Sequence, residues 1–323
     1  MNIRKIAELA GVSPATVSRV FSHHRGISAD IRSRVLEISR KNGYHPRFSQ
    51  RQKNVVIITP YNSDFPVQSC VDMILSALMR VLPEAGFRLE ILPLNNIERL
   101  ESIQFCGAVA IGGELSDFPG WAEKFPVPLV IMDRPQWKNG VENVFFVRSD
   151  EAQGMELAID HLYRNGCRKI GCIIHGTPGF GNAAMRCEAV CDALKQRGLQ
   201  ADQTMVCYSG NGSEKYLELI GKMLNRNVDA LFCPGGNAGI AGMYALALFN
   251  RKVPDDISLI ASEQTFYSRF AVPPQTTISP DYDGMARAVT GIFNDHLAHK
   301  AQNSTVTLPY QLIERESVKL KQW

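Results

Sequence analysis

At 323 residues, with 45% hydrophobic and 21% charged side chains, the chain is long enough for a large buried core and reads as two or three domains. It has no run of about 18 apolar residues such as a membrane helix needs, and its start, MNIRKIAELAG, is charged throughout and lacks a signal-peptide core, so no membrane partner is expected and a cytoplasmic location is. The net charge of +3 hides a division: residues 1–54 hold eleven Lys/Arg against three Asp/Glu, a net of +8, while the remainder is acidic, so the head alone suits a polyanion.

Asn2 is placed to cap a first helix that runs through Ala10, with Ile6, Leu9 and Ala10 as its apolar stripe. Gly11 stands where a helix often ends in the left-handed conformation. In GVSPATVSRVF, residues 11–21, Ser13 reads as the N-cap of a second helix and Pro14 as its first residue, where a missing N–H costs nothing. Val17 and Val20 then face the first helix, and Ala15, Ser18 and Arg19 point outward. A third helix starts at Ser28, carries Ile31, Val35 and Ile38 at i, i+4, i+7, and ends at Asn42-Gly43. Helix, glycine turn, helix and packing helix make the helix-turn-helix layout. The positive end of the second helix favours a phosphate. Arg19 has the fork for guanine O6 and N7, whereas Pro14 and Ala15 read only thymine methyls or shape. The plainer alternative is a three-helix packing module with Arg19 merely solvated.

From residue 55 the texture becomes α/β. Short apolar runs at 55–59, 88–94, 107–111, 128–132, 169–174, 229–233 and 257–261 predict buried strands. Amphipathic stretches at 67–83, 150–165, 183–197, 213–225, 238–250 and 281–298 predict the helices between them. This alternation implies parallel doubly wound sheets, in two subdomains with ligand in the crevice between them. The eight cysteines show no CxxC pair; Cys187 and Cys191 lie four apart with no histidine at ligand spacing, so isolated thiols in a reducing compartment are expected, with no metal and no cofactor. Catalytic patterns are lacking as well. HGTPGFG (175–181) has its glycines in the wrong order for a dinucleotide loop, and no Gly-Lys-Ser/Thr follows GGNAGIAG (235–242). No G-x-S-x-G or H-E-x-x-H occurs, and an enzyme is not expected.

The run IAELAGVSPATVSRVFSHHRGISADIRSRVLEISRKNGYHP closely resembles the DNA-binding head of the lactose-repressor (LacI/GalR) family of bacterial transcriptional regulators. The resemblance continues through VPLVIMDRP (127–135), SDEAQGMELAIDHLYRNGCRKIGCI (149–173), MRCEAVCDALKQRGL (185–199), VPDDISLIA, PPQTTIS and LIERESV, and so covers nearly the whole chain. It implies a head at 1–46, a hinge at 47–54 and a periplasmic-binding-protein-like effector and dimerisation body at 55–323. The body's first lobe would take about 55–145 and 281–305, its second about 146–280 and 306–323, with crossovers near 145, 280 and 305. The first helix departs from the family's Thr-x-x-Asp capping box, having Asn2 with Lys5. The hinge departs further: RFSQRQKN lacks the leucine that wedges into the minor groove. Either Phe48 replaces the wedge, or the segment is a short basic linker adding phosphate contacts.

Carried over residue by residue, the resemblance implies DNA contacts from Asn2, Ser13, Pro14, Ala15, Thr16, Ser18, Arg19, Ser28, Arg47 and Arg51. It implies effector contacts from Tyr61, Phe65, Asp133, Arg186, Asn237 and Glu263; the alternative for Arg186 is a surface pair with Glu188 or Asp192. Gly235-Gly236 stands where Asn-Asp is common, Ser262-Glu263-Gln264 where an aspartate is common, and Gly212 where an aromatic stacks on the sugar. The expectation is a repressor of carbohydrate-related genes that binds a pseudo-palindromic operator as a homodimer, with first-lobe residues around 67–95, such as the Val71–Leu82 helix, at the dimer face. Partners are operator DNA and a small sugar-like effector. The alternatives are a regulator answering a protein or a non-sugar ligand, and a solute-binding protein without DNA function.

Overall fold

The structure is a computed structural model that describes residues 2–21, 26–42, 44, 53–60, 70–134, 141–179, 181–210, 214–236, 238–298, 300 and 305–320. The head is three helices: α1 (Ile3–Ala10), α2 (Pro14–Phe21) and α3 (Ala29–Lys41). Its core joins Ile6, Ala7, Ala10, Val17, Val20, Phe21 and Val35, with Ile31 and Ile38 partly buried against them. Leu9 is 46% exposed, and Ala7 takes the place expected for it. The apolar stripe of α1 follows i, i+1, i+4 because the helix is covered from two sides, by α2 and α3. Tyr44 closes the head, its ring edge-on to Phe21 at 5.9 Å between centroids.

The chain divides into two compact units, Met1–Pro66 with Ile74–Arg148 and Asp283–Val306, and Val67–Met73 with Ser149–Tyr282 and Thr307–Trp323. Beyond the head, the chain runs β1 (Asn54–Thr59), α4 (Cys70–Glu84), β2 (Arg88–Pro93), a 3-10 stretch (Leu94–Ser102), β3 (Gly107–Ile111), α5 (Trp121–Lys124), β4 (Leu129–Met132) and β5 (Val144–Ser149). It continues through α6 (Glu151–Arg164), β6 (Ile170–Ile174), α7 (Ala183–Gln196), β7 (Val206–Tyr208), α8 (Glu214–Leu224), β8 (Ala230–Cys233), α9 (Ala238–Leu248), β9 (Ser258–Ser262), α10 (Thr265–Phe270) and β10 (Thr276–Pro280). It ends with α11 (Tyr282–Leu297), β11 (Thr305–Leu308) and β12 (Tyr310–Ile313).

Each sheet has six strands, in the orders β11-β5-β4-β3-β1-β2 and β12-β10-β9-β8-β6-β7. Strands β1 to β5 pair in parallel, as do β6 to β10, and β12 is antiparallel to β10. Every residue of β3, β4, β6 and β8 is buried, the burial pattern of strands covered by helices on both faces. In the second unit, Met155, Ile159 and Leu162 of α6 and Val190 and Leu194 of α7 pack on Cys172, Ile174 and Phe232. Tyr216 and Ile220 of α8 and Leu246 of α9 pack on Ile173, Leu231 and Leu259, from the other sheet face. Each such aliphatic side chain contributes about 1.5–3 kcal/mol by leaving water.

The sequence reading lacked five strands. In β10, Thr276 and Thr277 are wholly buried, but their hydroxyls bond within the structure, so their polarity masks a core strand. Strand β5 has only four consecutive apolar residues, followed by Arg148. The short strands β7, β11 and β12 have half-buried positions and no long apolar run. All eight cysteines are free. The Cys191 thiol donates to the Ala201 carbonyl at 3.6 Å, and burial pushes it up to about 11. Among the described residues no helix is long and apolar enough to cross a membrane, and no group of three or more His, Cys, Asp or Glu is arranged for a metal ion.

Candidate nucleic-acid interface and ligand site

The head presents its reading face through local capping chemistry. Asn2 accepts the Lys5 N–H at 3.0 Å and starts α1. Gly11 ends it at φ +61, ψ 36, a conformation costly for any side chain bearing Cβ. The Gly11 and Val12 N–H groups return to the Glu8 and Ala7 carbonyls. Two residues later Ser13 Oγ accepts the Thr16 N–H at 3.0 Å, and the Ser13 and Thr16 hydroxyls are 2.9 Å apart. Pro14 is therefore the first residue of α2.

Val17 and Val20 are turned into the core, which fixes the roll of α2. Ser13, Pro14, Ala15, Ser18 and Arg19 are all exposed on its other side, and Thr16 is half-buried. Ser28 caps α3 by accepting the Ile31 N–H at 3.4 Å and is itself exposed. The described DNA-contact candidates thus stand at three helix starts and along one face of α2, where backbone N–H groups and side-chain donors suit phosphate and base edges. Arg47, Phe48 and Arg51 lie outside the described residues, as do Tyr61, Phe65, Gly212 and Asn237.

In the second unit, polar side chains gather at the C-terminal ends of the parallel strands, the edge where open α/β sheets hold ligands. Arg186, on the first turn of α7, does not pair Glu188 or Asp192. Its Nε and Nη2 grip Glu151 at 2.8 and 2.7 Å, and the Asn182 amide adds a third bond to the same carboxylate at 2.9 Å. Glu151 is the first residue of α6, whose N-cap is Asp150. Its carboxylate is 2% exposed and sits where a helix N-terminus favours negative charge.

Beside this pair, His175 follows β6 and β8 runs into Gly235-Gly236, at φ +90 and +49. A Cβ on Gly235 would come within 2.5 Å of Arg186 Nη1, and one on Gly236 within 2.7–2.9 Å of the His175 ring. The Gly-Gly turn is thus the complement of His175 and Arg186, which fill the space that side chains at 235 and 236 would need. His175 Nδ1 is buried with no hydrogen-bond partner among the described residues. Burial first, then the Arg186 charge, lowers the ring's pKa below its usual 6.5 and favours the neutral imidazole at pH 7.

At the end of β9, Ser262 Oγ accepts the Gly235 N–H at 2.7 Å and Gln264 donates to the Gly236 carbonyl. Both Glu263 oxygens face Arg315, at 2.9 and 3.1 Å, and the Thr277 hydroxyl donates to one of them. The candidate effector carboxylate is therefore held within the unit. In the first unit, Asp133 follows β4 in left-handed conformation, φ +53, and its N–H reaches the Val147 carbonyl at 2.9 Å. Arg134 bonds the Gly112 carbonyl at 2.6 Å.

Sequence reasoning missed Glu151, His175 and Arg315. An acid at a helix start reads as a surface cap, and nothing local marked Glu151 as buried. Arg315 lay in LIERESV, 52 positions from the glutamate it holds.

Residues 2–47 match the bacterial regulatory proteins of the lacI family, and residues 159–318 match the periplasmic binding protein-like domain. The HTH-type transcriptional repressor PurR of Pasteurella multocida (strain Pm70) is 26% identical over 337 residues, 98% of this chain and 98% of the relative. The complex of the transcriptional regulator CelR with cellobiose superposes with a TM-score of 0.69 at 24% identity, covering 98% of this chain and 99% of that one. A lac repressor dimer bound to operator and the anti-inducer ONPF gives 0.68 at 18% identity, over 99% of each chain.

Proposed function

Because the chain belongs to the lacI family of bacterial regulatory proteins, DNA-binding transcription regulators rather than enzymes, we propose that it is a repressor that binds a pseudo-palindromic operator as a homodimer and is controlled by a small effector. The observation that carries this reading is the capped helix α2, whose exposed face offers Ser13, Pro14, Ala15, Ser18 and Arg19 together. One such helix reads one half-site, so a symmetric dimer is needed to read two. The head at 1–46 takes the DNA, and the body at 55–323 takes the effector and the second copy.

Two exposed apolar surfaces support the dimer reading. In the 67–95 region, Met79 of α4 and Ile91 of β2 are 53% and 50% exposed, while Ile74, Ala77, Leu78 and Leu82 of α4 are buried. On the touching helices α9 and α10, Tyr244, Leu248, Phe266, Tyr267 and Phe270 are each 44–65% exposed. Monomeric proteins rarely leave so many large apolar side chains in water.

For the effector, Asp133, Arg186 and Glu263 stand at C-terminal strand ends within their respective units, the place an α/β protein uses for small ligands. A sugar or derivative is supported by the cellobiose complex of one structural neighbour.

Selection of full-length protein on random duplex DNA tests the reading. The expected result is a two-fold symmetric motif whose preference at one base step per half-site disappears in Arg19→Ala, while the dimer persists in light scattering. Binding without sequence preference would overturn it. A thermal-shift screen of neutral sugars, sugar phosphates, uronates and nucleobases then finds the effector class, and Arg186→Ala should abolish the hit.

A further inference from the structure

Arg186 and Arg315, both in the second unit, are each closed by a carboxylate of that unit. Glu151 takes two of the Arg186 nitrogens in a bidentate grip, is itself 2% exposed, and is bonded by Asn182 as well. The third nitrogen, Nη1, lies against the Gly235 backbone, at the position a Cβ would occupy. Glu263, 6% exposed, takes Arg315 in the same two-pronged way, and Arg315 also spends a donor on the Gln275 carbonyl at 2.6 Å. The nearby imidazole of His175 is biased to its neutral form by burial and by Arg186.

An anion entering the edge beside Arg186 meets a cation whose charge is already cancelled by Glu151. To bind Arg186 it must displace Glu151 and leave a buried carboxylate without its partner, a costly exchange. An uncharged ligand meets no such obstacle, because it needs only hydrogen bonds at the edge of the existing pairs.

We propose that Glu151 is a specificity-determining positioning residue: it fixes Arg186 and cancels its charge, so that the effector edge of the second unit admits uncharged polar ligands and refuses phosphates and carboxylates. The ligand-specificity part rests on the reading that Arg186 faces the effector; the charge-cancelling part stands on the Glu151–Arg186 geometry alone. It assigns Glu151 no ligand contact of its own. Glu151 acts through the guanidinium that it holds.

The test uses the full chain and inorganic phosphate, against chloride at matched ionic strength, in thermal unfolding and titration calorimetry. The wild-type protein is expected to show no phosphate-specific stabilisation. Glu151→Gln keeps the side-chain shape, removes the charge, melts lower, and binds phosphate at least about tenfold more tightly than the wild type. Glu151→Asp, which keeps the charge, stays indifferent to phosphate, and Glu151→Gln combined with Arg186→Met loses the gain. If Glu151→Gln folds in phosphate but not in chloride, that is the same result.

Wild-type protein stabilised by phosphate as strongly as Glu151→Gln overturns the proposal. So does a Glu151→Gln protein that gains nothing from phosphate or folds in neither salt, and so does a gain that survives Arg186→Met. None of these readouts involves operator or effector, so the effector reading fails separately, in the ligand screen.

Discussion

The head and the C-terminal strand edge of the second unit use their polar groups in opposite ways. On α2, Ser13, Ser18 and Arg19 stand in solvent, held in place by a buried apolar face and by one capping bond from Ser13. In the second unit, Glu151, Glu263 and Gln264 are buried and bonded to neighbouring side chains or backbone. A surface that reads DNA must keep its donors available to a large, uniformly charged partner, so it is built from exposed groups on a rigid helix. A site for a small ligand is built with buried groups whose positions are fixed by one another.

The comparison breaks first where a buried charge loses its partner. Arg315→Ala leaves Glu263 buried with its carboxylate stripped of both guanidinium bonds. A loss of about 3–5 kcal/mol is expected, measured as a lowered urea midpoint of full-length protein. Loss below about 1 kcal/mol, the range of exposed pairs, would mean that the pair is open to water.

Arg19→Ala, by contrast, touches an exposed group and leaves the fold alone. Its expected cost is about 1–3 kcal/mol of base discrimination for each half-site, seen as flattened preference in competition binding, with an unchanged melting temperature. A fall in melting temperature comparable to that of Arg315→Ala would erase the distinction between the two regions.

The same difference explains what could be read from the chain. Asn2, Gly11 and Ser13 bond residues three positions away and Pro14 needs no N–H partner, so the helices of the head followed from local spacing. The parallel strands β1, β3, β4, β6, β8 and β9 also showed, because strands buried on both faces are continuous apolar runs. Strand β10 escaped because its threonines are buried as hydrogen-bonding groups, and Leu9 was misplaced because α1 is covered from two sides. The partners of Arg186 and Arg315 were not legible at all. Glu151 lies 35 residues from Arg186, and Glu263 lies 52 from Arg315. Spacing carries no information about which of many acids a fold brings to a given arginine.

A smaller effect sharpens the head's side of the comparison. Ser13→Ala removes the bond to the Thr16 N–H at the start of α2, worth about 1 kcal/mol. Faster amide exchange confined to the first turn of α2 is the expected signature. Unchanged exchange there would mean that Pro14 alone sets the helix start.

The smallest expected effect concerns acid. Unfolded histidine takes up a proton near 6.5, whereas burial and the Arg186 charge hold native His175 to a lower value. Below pH 6.5 the unfolded state therefore binds more protons than the native one, and stability falls as the pH drops toward the native value. The contribution is fully present above pH 6.5 and is gone once native His175 is protonated too. His161 shifts the same way, chiefly through burial, with Glu314 and Asp160 opposing it. The urea midpoint of His175→Gln should fall less between pH 7.5 and 5.5 than that of the wild type, with the residual slope reduced again by His161→Gln. An identical fall in wild type and His175→Gln would place the acid sensitivity in groups other than His175.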